Sequence, residues 1–328
     1  VIEAEMGYFI GCDLGGTNLR AAVVNSVTGE VNSLTIIPTM AHEGYEAVLM
    51  RMANLFKDII EKSKLKSDDI QGIGIGVPGM MDFESGLTTF ITNLPGHWIN
   101  VPVAPIIKEK TGIPAFLIND VRAITWGELK FGAGKGCQSL VCYALGTGIG
   151  GGIVVNNQLV LGNSGQAGEL GHMTVDPNGP LCNCGNHGCL EQYSSGPAIK
   201  AAALKAISHG GTTILGEMVG YDLNKMTPEV VYNAAMKGDT IARTIYENAG
   251  YYLGLAIANS IVTLEPQKIV IGGGIAQAGE LLFAPMRKAI QERVFLVPMD
   301  RIEIVQAELG NNAGVIGASM WAENRIQK

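Results

Sequence analysis

The chain has 328 residues, 47% of them apolar and 16% charged, with a formal net charge of −7. That length serves two domains with cores of their own, and the composition excludes a disordered chain. The acidic balance excludes a nucleic-acid or anionic-membrane surface built on dense Lys and Arg. It leaves a nucleotide open as ligand, because backbone N–H groups, helix N-termini and a divalent cation hold phosphate locally. Residues 1–7 carry two acids and no basic run, so no secretory leader is expected. The longest apolar stretch, residues 251–264, contains Asn259 and Ser260 and falls short of a bilayer span. Six cysteines are too few for a disulfide framework at this size, and three of them crowd into eight residues. A cytoplasmic protein is expected.

In chain order, a strand over residues 8–13 ends in Leu14-Gly15-Gly16-Thr17, a second strand covers 19–25, and a turn at 27–30 leads to a third over 31–37. Residues 44–62 put Val48, Met52, Leu55 and Ile59 on one helical face. A strand over 70–77 closes on Pro78-Gly79, and residues 101–111 read as helix. A short strand over 115–118 delivers Asn119-Asp120 ahead of a helix over 123–130. The order then restarts, with a strand over 139–145, a glycine run over 146–152 and a strand over 152–155. Helices dominate after Gly196, interrupted by a strand over 268–271 that ends in Gly272-Gly273-Gly274. Residues 276–290 read as mostly helical with a kink at Pro285. A last strand over 302–306 precedes a helix from Asn312. The repetition predicts an α/β fold of two related halves facing each other across a central cleft. The boundary is set at Asn119. Residues 1–119 form a smaller domain on which the C-terminal helix 312–328 packs back, and residues 120–311 form a larger one.

Three glycine clusters stand where a phosphate could be held. In Asp13-Leu14-Gly15-Gly16-Thr17-Asn18, glycines free the amide N–H groups to face a phosphate, Thr17 adds a hydroxyl, and Asp13 is placed to hold Mg²⁺ through water. The competing reading is a plain tight turn. Gly146-Thr147-Gly148 begins a second loop of the same kind, at the matching place in the second half. Neither is a Walker A loop. The Gly-x-Gly-x-x-Gly match over 146–151 runs into a strand, where a dinucleotide fingerprint needs a helix. Gly273 and Gly274 suit a platform for adenosine, or a simple helix start. The three loops, in this order, resemble the actin-like (ribonuclease H-like) sugar kinase superfamily. That resemblance implies ATP clamped by the first two loops from opposite domains.

Cys182, Cys184 and Cys189 lie within one short loop, where thiolates converge on a tetrahedral Zn²⁺ and leave one ligand to come from elsewhere. Local strain disfavours His187, inside the loop, and His172, ten residues before Cys182, can fold back. Either choice fills four positions, so the metal is structural and activates no water. Glu169-x-Gly171-His172 followed by Cys182-x-Cys184-Gly185-x-x-Gly188-Cys189-Leu190-Glu191 resembles the signature of the ROK family (repressors, open reading frames and kinases). The resemblance implies zinc bound by His172, Cys182, Cys184 and Cys189, with Glu169, His172 and Glu191 bonded to sugar hydroxyls.

Phosphoryl transfer to an alcohol needs a group that takes the hydroxyl proton. Asp120, at a strand end, suits that role, while Asn119-Asp120 also suits a helix cap. The resemblance implies Asn119 as a sugar contact and Asp120 as catalytic base. It also points to Gly79 and Asn93 as sugar contacts, from the loops around 77–79 and 92–98. Trp98 reads as packing. Val121-Arg122 departs from the family's small residue and second Asn, so nothing is carried over to Arg122. The implied activity is ATP-dependent phosphorylation of a hexose, first glucose at its 6-hydroxyl. Rival acceptors are mannose, fructose, allose, N-acetylglucosamine and N-acetylmannosamine, and a non-catalytic sugar sensor is the other class. Repressors of the family carry a helix-turn-helix ahead of the first glycine loop. Here twelve residues precede Asp13, and a kinase is expected. The partners implied are the sugar and ATP, with no nucleic acid or membrane, in a homodimer or larger assembly.

Overall fold

The computed structural model describes residues 7–91, 94–95 and 97–327, so the expected sugar contact Asn93 lies outside the described residues. The chain forms two compact units. Unit 1 comprises Val1–Gln138, Ile153–Ala167 and Ala307–Lys328, and unit 2 comprises Ser139–Gly152 and Gly168–Gln306. The expected α/β class with two domains is found. The division falls after Gln138, one helix later than the boundary set at Asn119.

Unit 1 begins with β1 (Tyr8–Leu14), β2 (Asn18–Asn25) and β3 (Val31–Pro38), followed by α1 (Tyr45–Ser63). Next come β4 (Ile70–Val77), the small hairpin β5 (Met80–Asp82) and β6 (Leu87–Phe90), α2 (Val103–Thr111), β7 (Ala115–Asn119) and α3 (Asp120–Phe131). Its sheet has the order β3-β2-β1-β4-β7. The first three strands are an antiparallel meander, while β4 and β7 run parallel to β1.

The second series is β8 (Leu140–Leu145), β9 (Ile149–Val155), β10 (Gln158–Leu159), α4 (Glu191–Ser194), α5 (Gly196–Ser208), α6 (Leu215–Met218), α7 (Pro228–Met236) and α8 (Thr240–Leu264). It ends with β11 (Lys268–Gly272), α9 (Glu280–Gln291), β12 (Glu303–Gln306) and α10 (Ala313–Ile326). The second sheet has the order β10-β9-β8-β11-β12. Renumbered from its own start, this is the order of the first sheet, so the repetition read from the sequence is a repetition of topology.

The last helix, α10, joins unit 1 by a device invisible to periodicity. A Cβ on Gly11 would stand 1.8 Å from the Val315 carbonyl oxygen, and one on Gly74 would stand 1.7 Å from that of Ala318. Only glycines on β1 and β4 let a helix backbone lie this close to the sheet. Between α10 and α3, Trp321 and Trp126 meet edge to face with centroids 6.4 Å apart. Trp98 is buried and donates to the Pro95 carbonyl at 3.1 Å, a packing residue as expected.

Two local expectations change. The second strand of the repeat begins at Ile149, inside the glycine run, because pairing in the sheet overrides weak strand propensity. Pro285 sits inside the helix α9, and the break falls at Gly279, whose φ is +57°. The apolar stretch 251–264 is part of the 25-residue α8, whose buried face includes Leu253, Ile257 and Ile261. Among the described residues, no helix is long and apolar enough to cross a membrane.

Asp239 starts α8. Its carboxylate accepts from the N–H groups of Ala242 at 2.8 Å and Ile214 at 2.7 Å and from the Thr213 hydroxyl at 2.7 Å. Burial alone would push this carboxyl up, but the Ala242, Thr213 and Ile214 donors together hold it below the usual aspartate range. A depressed value stabilises the fold above the unfolded aspartate value, and that stability is lost as pH falls through the folded one. Asp239→Ala is therefore expected to cost about 1–3 kcal/mol in urea unfolding at pH 7. The gap to the wild type should narrow below about pH 3.9. An equal gap at every pH would refute the role of the ionised carboxylate.

Candidate functional site

Within unit 1, the expected residues gather at the C-terminal ends of the parallel strands β1, β4 and β7, where open α/β sheets bind ligands. Asp13 lies on β1, paired with Gly76 of β4 and with Arg20 of β2. Burial raises its carboxyl, and the Arg20 charge opposes that shift. The turn that follows is tight, with the Gly15 N–H donating to the Asn18 carbonyl at 3.0 Å. Thr39 braces it, since its hydroxyl donates to the Gly15 carbonyl at 2.6 Å and its N–H to the Thr17 carbonyl at 2.8 Å. Gly16, Thr17 and Asn18 are exposed at the tip. The segment is thus a tight turn with an exposed tip.

Beside it, Gly79 follows the end of β4 by two residues and takes φ +85°, and β7 ends on Asn119, paired with Val77. Asn119 caps α3. Its Oδ1 accepts from the N–H groups of Val121 at 3.1 Å and Arg122 at 3.2 Å, while its Nδ2 donates to the Gly79 carbonyl at 3.4 Å. Asp120 is the first residue of that helix, half-buried, and one carboxylate oxygen accepts from the Val121 N–H at 2.8 Å. Asn119 thus does most of the capping, and the carboxylate of Asp120, which shares the Val121 N–H, sits in the first turn, favoured there by the helix dipole.

Within unit 2, the loop after β8 is closed by the Gly146 N–H on the Gly148 carbonyl at 2.9 Å. Its Gly146 carbonyl accepts from the Gly196 N–H, at the start of α5, also at 2.9 Å. The positive end of a 13-residue helix therefore borders this loop, which favours an anion. Thr147 is exposed at the tip. Gly273, with φ +89°, passes directly over β8, since a Cβ there would lie 2.2 Å from the Leu145 carbonyl oxygen. Gly274 then opens a short 3₁₀ turn, Gly274–Ala278.

Glu191 joins this loop to the cysteine segment. One carboxylate oxygen accepts from the Ile149 N–H at 2.9 Å. Two residues earlier is Cys189, whose loop is built on a bridge to Thr174 and another between Leu181 and His187. The donor atoms of His172, Cys182, Cys184 and Cys189 all lie within 4.8 Å of one another. The His172 Nδ1 to Cys182 Sγ distance and the Cys184 to Cys189 Sγ distance are both 3.6 Å. Ligands at about 2.3 Å on a tetrahedron stand about 3.7 Å apart, so the set fits zinc. His187 is exposed and turned elsewhere, its Nδ1 3.2 Å from the Gly179 carbonyl oxygen. Burial and the neighbouring thiols push Cys189 up to about 12, whereas the Asn186 N–H holds Cys184 below the usual range. Three thiolates cannot share this space without a cation, and a divalent metal removes that conflict. Glu169, exposed, immediately precedes the short 3₁₀ turn Leu170–His172, so the imidazole of the thiol cluster and the carboxylate share one turn.

The ROK family pattern matches residues 9–325. The chain belongs to the ROK family. A glucokinase of Thermotoga maritima is 35% identical over 317 residues, covering 97% of this chain and 98% of that one. The crystal structure of a ROK family glucokinase from Streptomyces griseus in complex with glucose and AMPPNP is 30% identical with a TM-score of 0.80, covering 97% of this chain and 100% of that one. A xylose repressor of Caldicellulosiruptor bescii is 30% identical over 317 residues, 96% of this chain and 78% of its own length.

Two residues of unit 1, Arg20 and Glu128, were not singled out from sequence, and a third, Arg122, was noted there without a role. Arg20, opposite Asp13 on the hairpin, donates to the Asn311 carbonyl. Glu128, fully buried on α3, accepts from the N–H groups of Leu309 at 2.9 Å, Glu308 at 3.2 Å and Ala133 at 2.9 Å. Arg122 is 2% exposed and donates to the Gly165 and Ala167 carbonyls. Charges at the third and ninth helix positions after the cap were a signal for the latter two. Apart from Ala133, their partners lie dozens of residues away, so their roles could not be read locally.

Proposed function

We propose that this ROK family member, an ATP-dependent hexokinase, takes glucose as its acceptor and transfers the γ-phosphoryl group of ATP to the 6-hydroxyl. In this reading Asp120 accepts the hydroxyl proton as the oxygen attacks phosphorus. The bond to ADP breaks, and the proton later passes from the carboxyl to solvent. The loops at Gly15-Gly16-Thr17-Asn18 and Gly146-Thr147-Gly148 present amide donors to the phosphates, and Gly273-Gly274 borders adenosine. Asp13 would hold the Mg²⁺ that accompanies ATP, which neutralises phosphate charge. Glu169, His172 and Glu191 receive the sugar hydroxyls together with Asn119, Gly79 and Asn93. Zinc, held by His172, Cys182, Cys184 and Cys189, would supply no chemistry beyond shaping that segment.

The observation that carries this reading is the connection from metal cluster to glycine loop. Glu169 shares a turn with one zinc ligand, and Glu191 follows another by two residues and bonds the Ile149 N–H. The test is ADP release with ATP, and with polyphosphate, against glucose, mannose, fructose, allose, N-acetylglucosamine and N-acetylmannosamine. Glucose is expected to give the highest kcat/KM, though one methyl-sized difference in a pocket separates sugars by only about 10–200-fold. Sugar binding with no ADP release would make the chain a sensor, and no response to any of these sugars would sink the reading.

A further inference from the structure

The role of Arg122 follows from where its bonds go. Its guanidinium donates to the Gly165 carbonyl and, at 2.7 Å, to the Ala167 carbonyl. It also lies 5.8 Å from the centre of the Phe83 ring. Phe83 in turn leaves no room at Gly165, where a Cβ would stand 2.5 Å from its ring. The whole arrangement lies within unit 1, and Ala167 is the last residue of that unit before the chain enters unit 2 at Gly168. Gly168 takes φ +96°, Glu169 follows, and the next residues make the turn that carries His172.

The same helix grips another crossing. Glu128 holds the N–H groups of Glu308 and Leu309, just after the chain re-enters unit 1 at Ala307. So α3 carries Asp120 at its first position, holds the segment that leaves unit 1 with Arg122, and holds the segment that returns with Glu128. A buried guanidinium is costly unless paired, and a planar fork spanning two carbonyls two residues apart is a geometry lysine cannot copy.

We propose that Arg122 is a positioning residue for the sugar-binding segment: by pinning Gly165 and Ala167 to the helix that carries Asp120, it sets the point from which Gly168-Glu169-Leu170-Gly171-His172 departs. This rests on the kinase reading for the identity of the ligand, and on the hydrogen bonds alone for the pinning. The residue acts through Glu169 and His172 and touches no reacting atom.

Arg122→Lys keeps the charge and loses the fork. It is expected to raise the KM for glucose about 10-fold, with the KM for ATP within about twofold and zinc content unchanged. Amide hydrogen exchange of Leu170 and His172, which donate to the Gly168 and Glu169 carbonyls, should accelerate about 10-fold while the amides of β1 and β4 keep their rates. Phe83→Leu, which loosens the guanidinium without removing it, should move both readouts in the same direction by about threefold. It decides the matter if Arg122→Lys does not fold. Unchanged glucose KM with unchanged exchange at 168–172 overturns the proposal, as does an equal rise in both KM values with exchange faster throughout unit 1. If the wild-type chain phosphorylates no hexose, the kinase reading falls, and the exchange pattern still decides whether Arg122 positions this segment.

Discussion

Asp120→Ala is expected to lower kcat for glucose by about 10²–10⁴-fold, while ATP affinity and zinc content stay at wild-type levels. The physical case starts at the helix cap. Asn119 supplies the side-chain acceptor for the Val121 and Arg122 N–H groups, so the start of α3 survives without the Asp120 side chain. The bond from the Val121 N–H to Asp120 is shared with Asn119, and its loss costs the helix little. A drop in turnover without a drop in stability is then the signature of a proton acceptor. Asp120→Asn keeps the shape and the acceptor oxygen but has almost no basicity, and should be nearly as slow as the alanine variant. Single-turnover measurements with bound ATP place the loss in the chemical step. Turnover of Asp120→Ala within about tenfold of wild type would remove this residue from the mechanism.

The second large effect concerns the metal. Cys189→Ser is expected to abolish stoichiometric zinc and to raise the KM for glucose by about 10–100-fold, with a smaller rise for ATP. Cys189 is fully buried, and burial with the neighbouring thiols opposes its ionisation, so a bound divalent metal would favour its thiolate and hold the loop closed by coordination. Releasing it loosens both neighbours at once, Glu169 through the turn shared with His172 and Glu191 through the two residues after Cys189. Because Glu191 also bonds the Ile149 N–H, the glycine loop feels the change as well, which is why ATP binding should weaken too, though less. Metal analysis, glucose titration and thermal unfolding of the purified protein before and after chelation read the three consequences separately. A zinc-free protein with unaltered glucose affinity would separate the metal from the sugar segment.

Much of this arrangement was legible in the sequence because it is local. Strand-ending glycines are visible wherever a strand pattern stops, and three cysteines within eight residues announce a metal loop without any knowledge of the fold. His172 was separable from His187 by local strain, and the structure groups His172 with the thiols. What local reading handled less well were the choices made by contacts far along the chain. The β5–β6 hairpin was missed because its strands are only three and four residues long. Helix α3 begins at Asp120, three positions earlier than the apolar pattern indicated, because the Asn119 cap decides the start and the pattern does not. Pro285 leaves α9 continuous, and Gly279 marks the break.

By itself the sequence determined the α/β class, the repeated strand–glycine–strand order, the thiol cluster and the family. Each of these is written in residues close together in the chain, where propensity, turn chemistry and ligand spacing act. Only the tertiary structure decided that Gly11 and Gly74 make room for α10, that Glu191 reaches the Ile149 amide, and that Arg122 and Glu128 grip the segments crossing between the units. Those are long-range choices. A buried charge or a missing Cβ acquires its meaning from the partner brought to it by folding, and burial makes the absence of that partner costly.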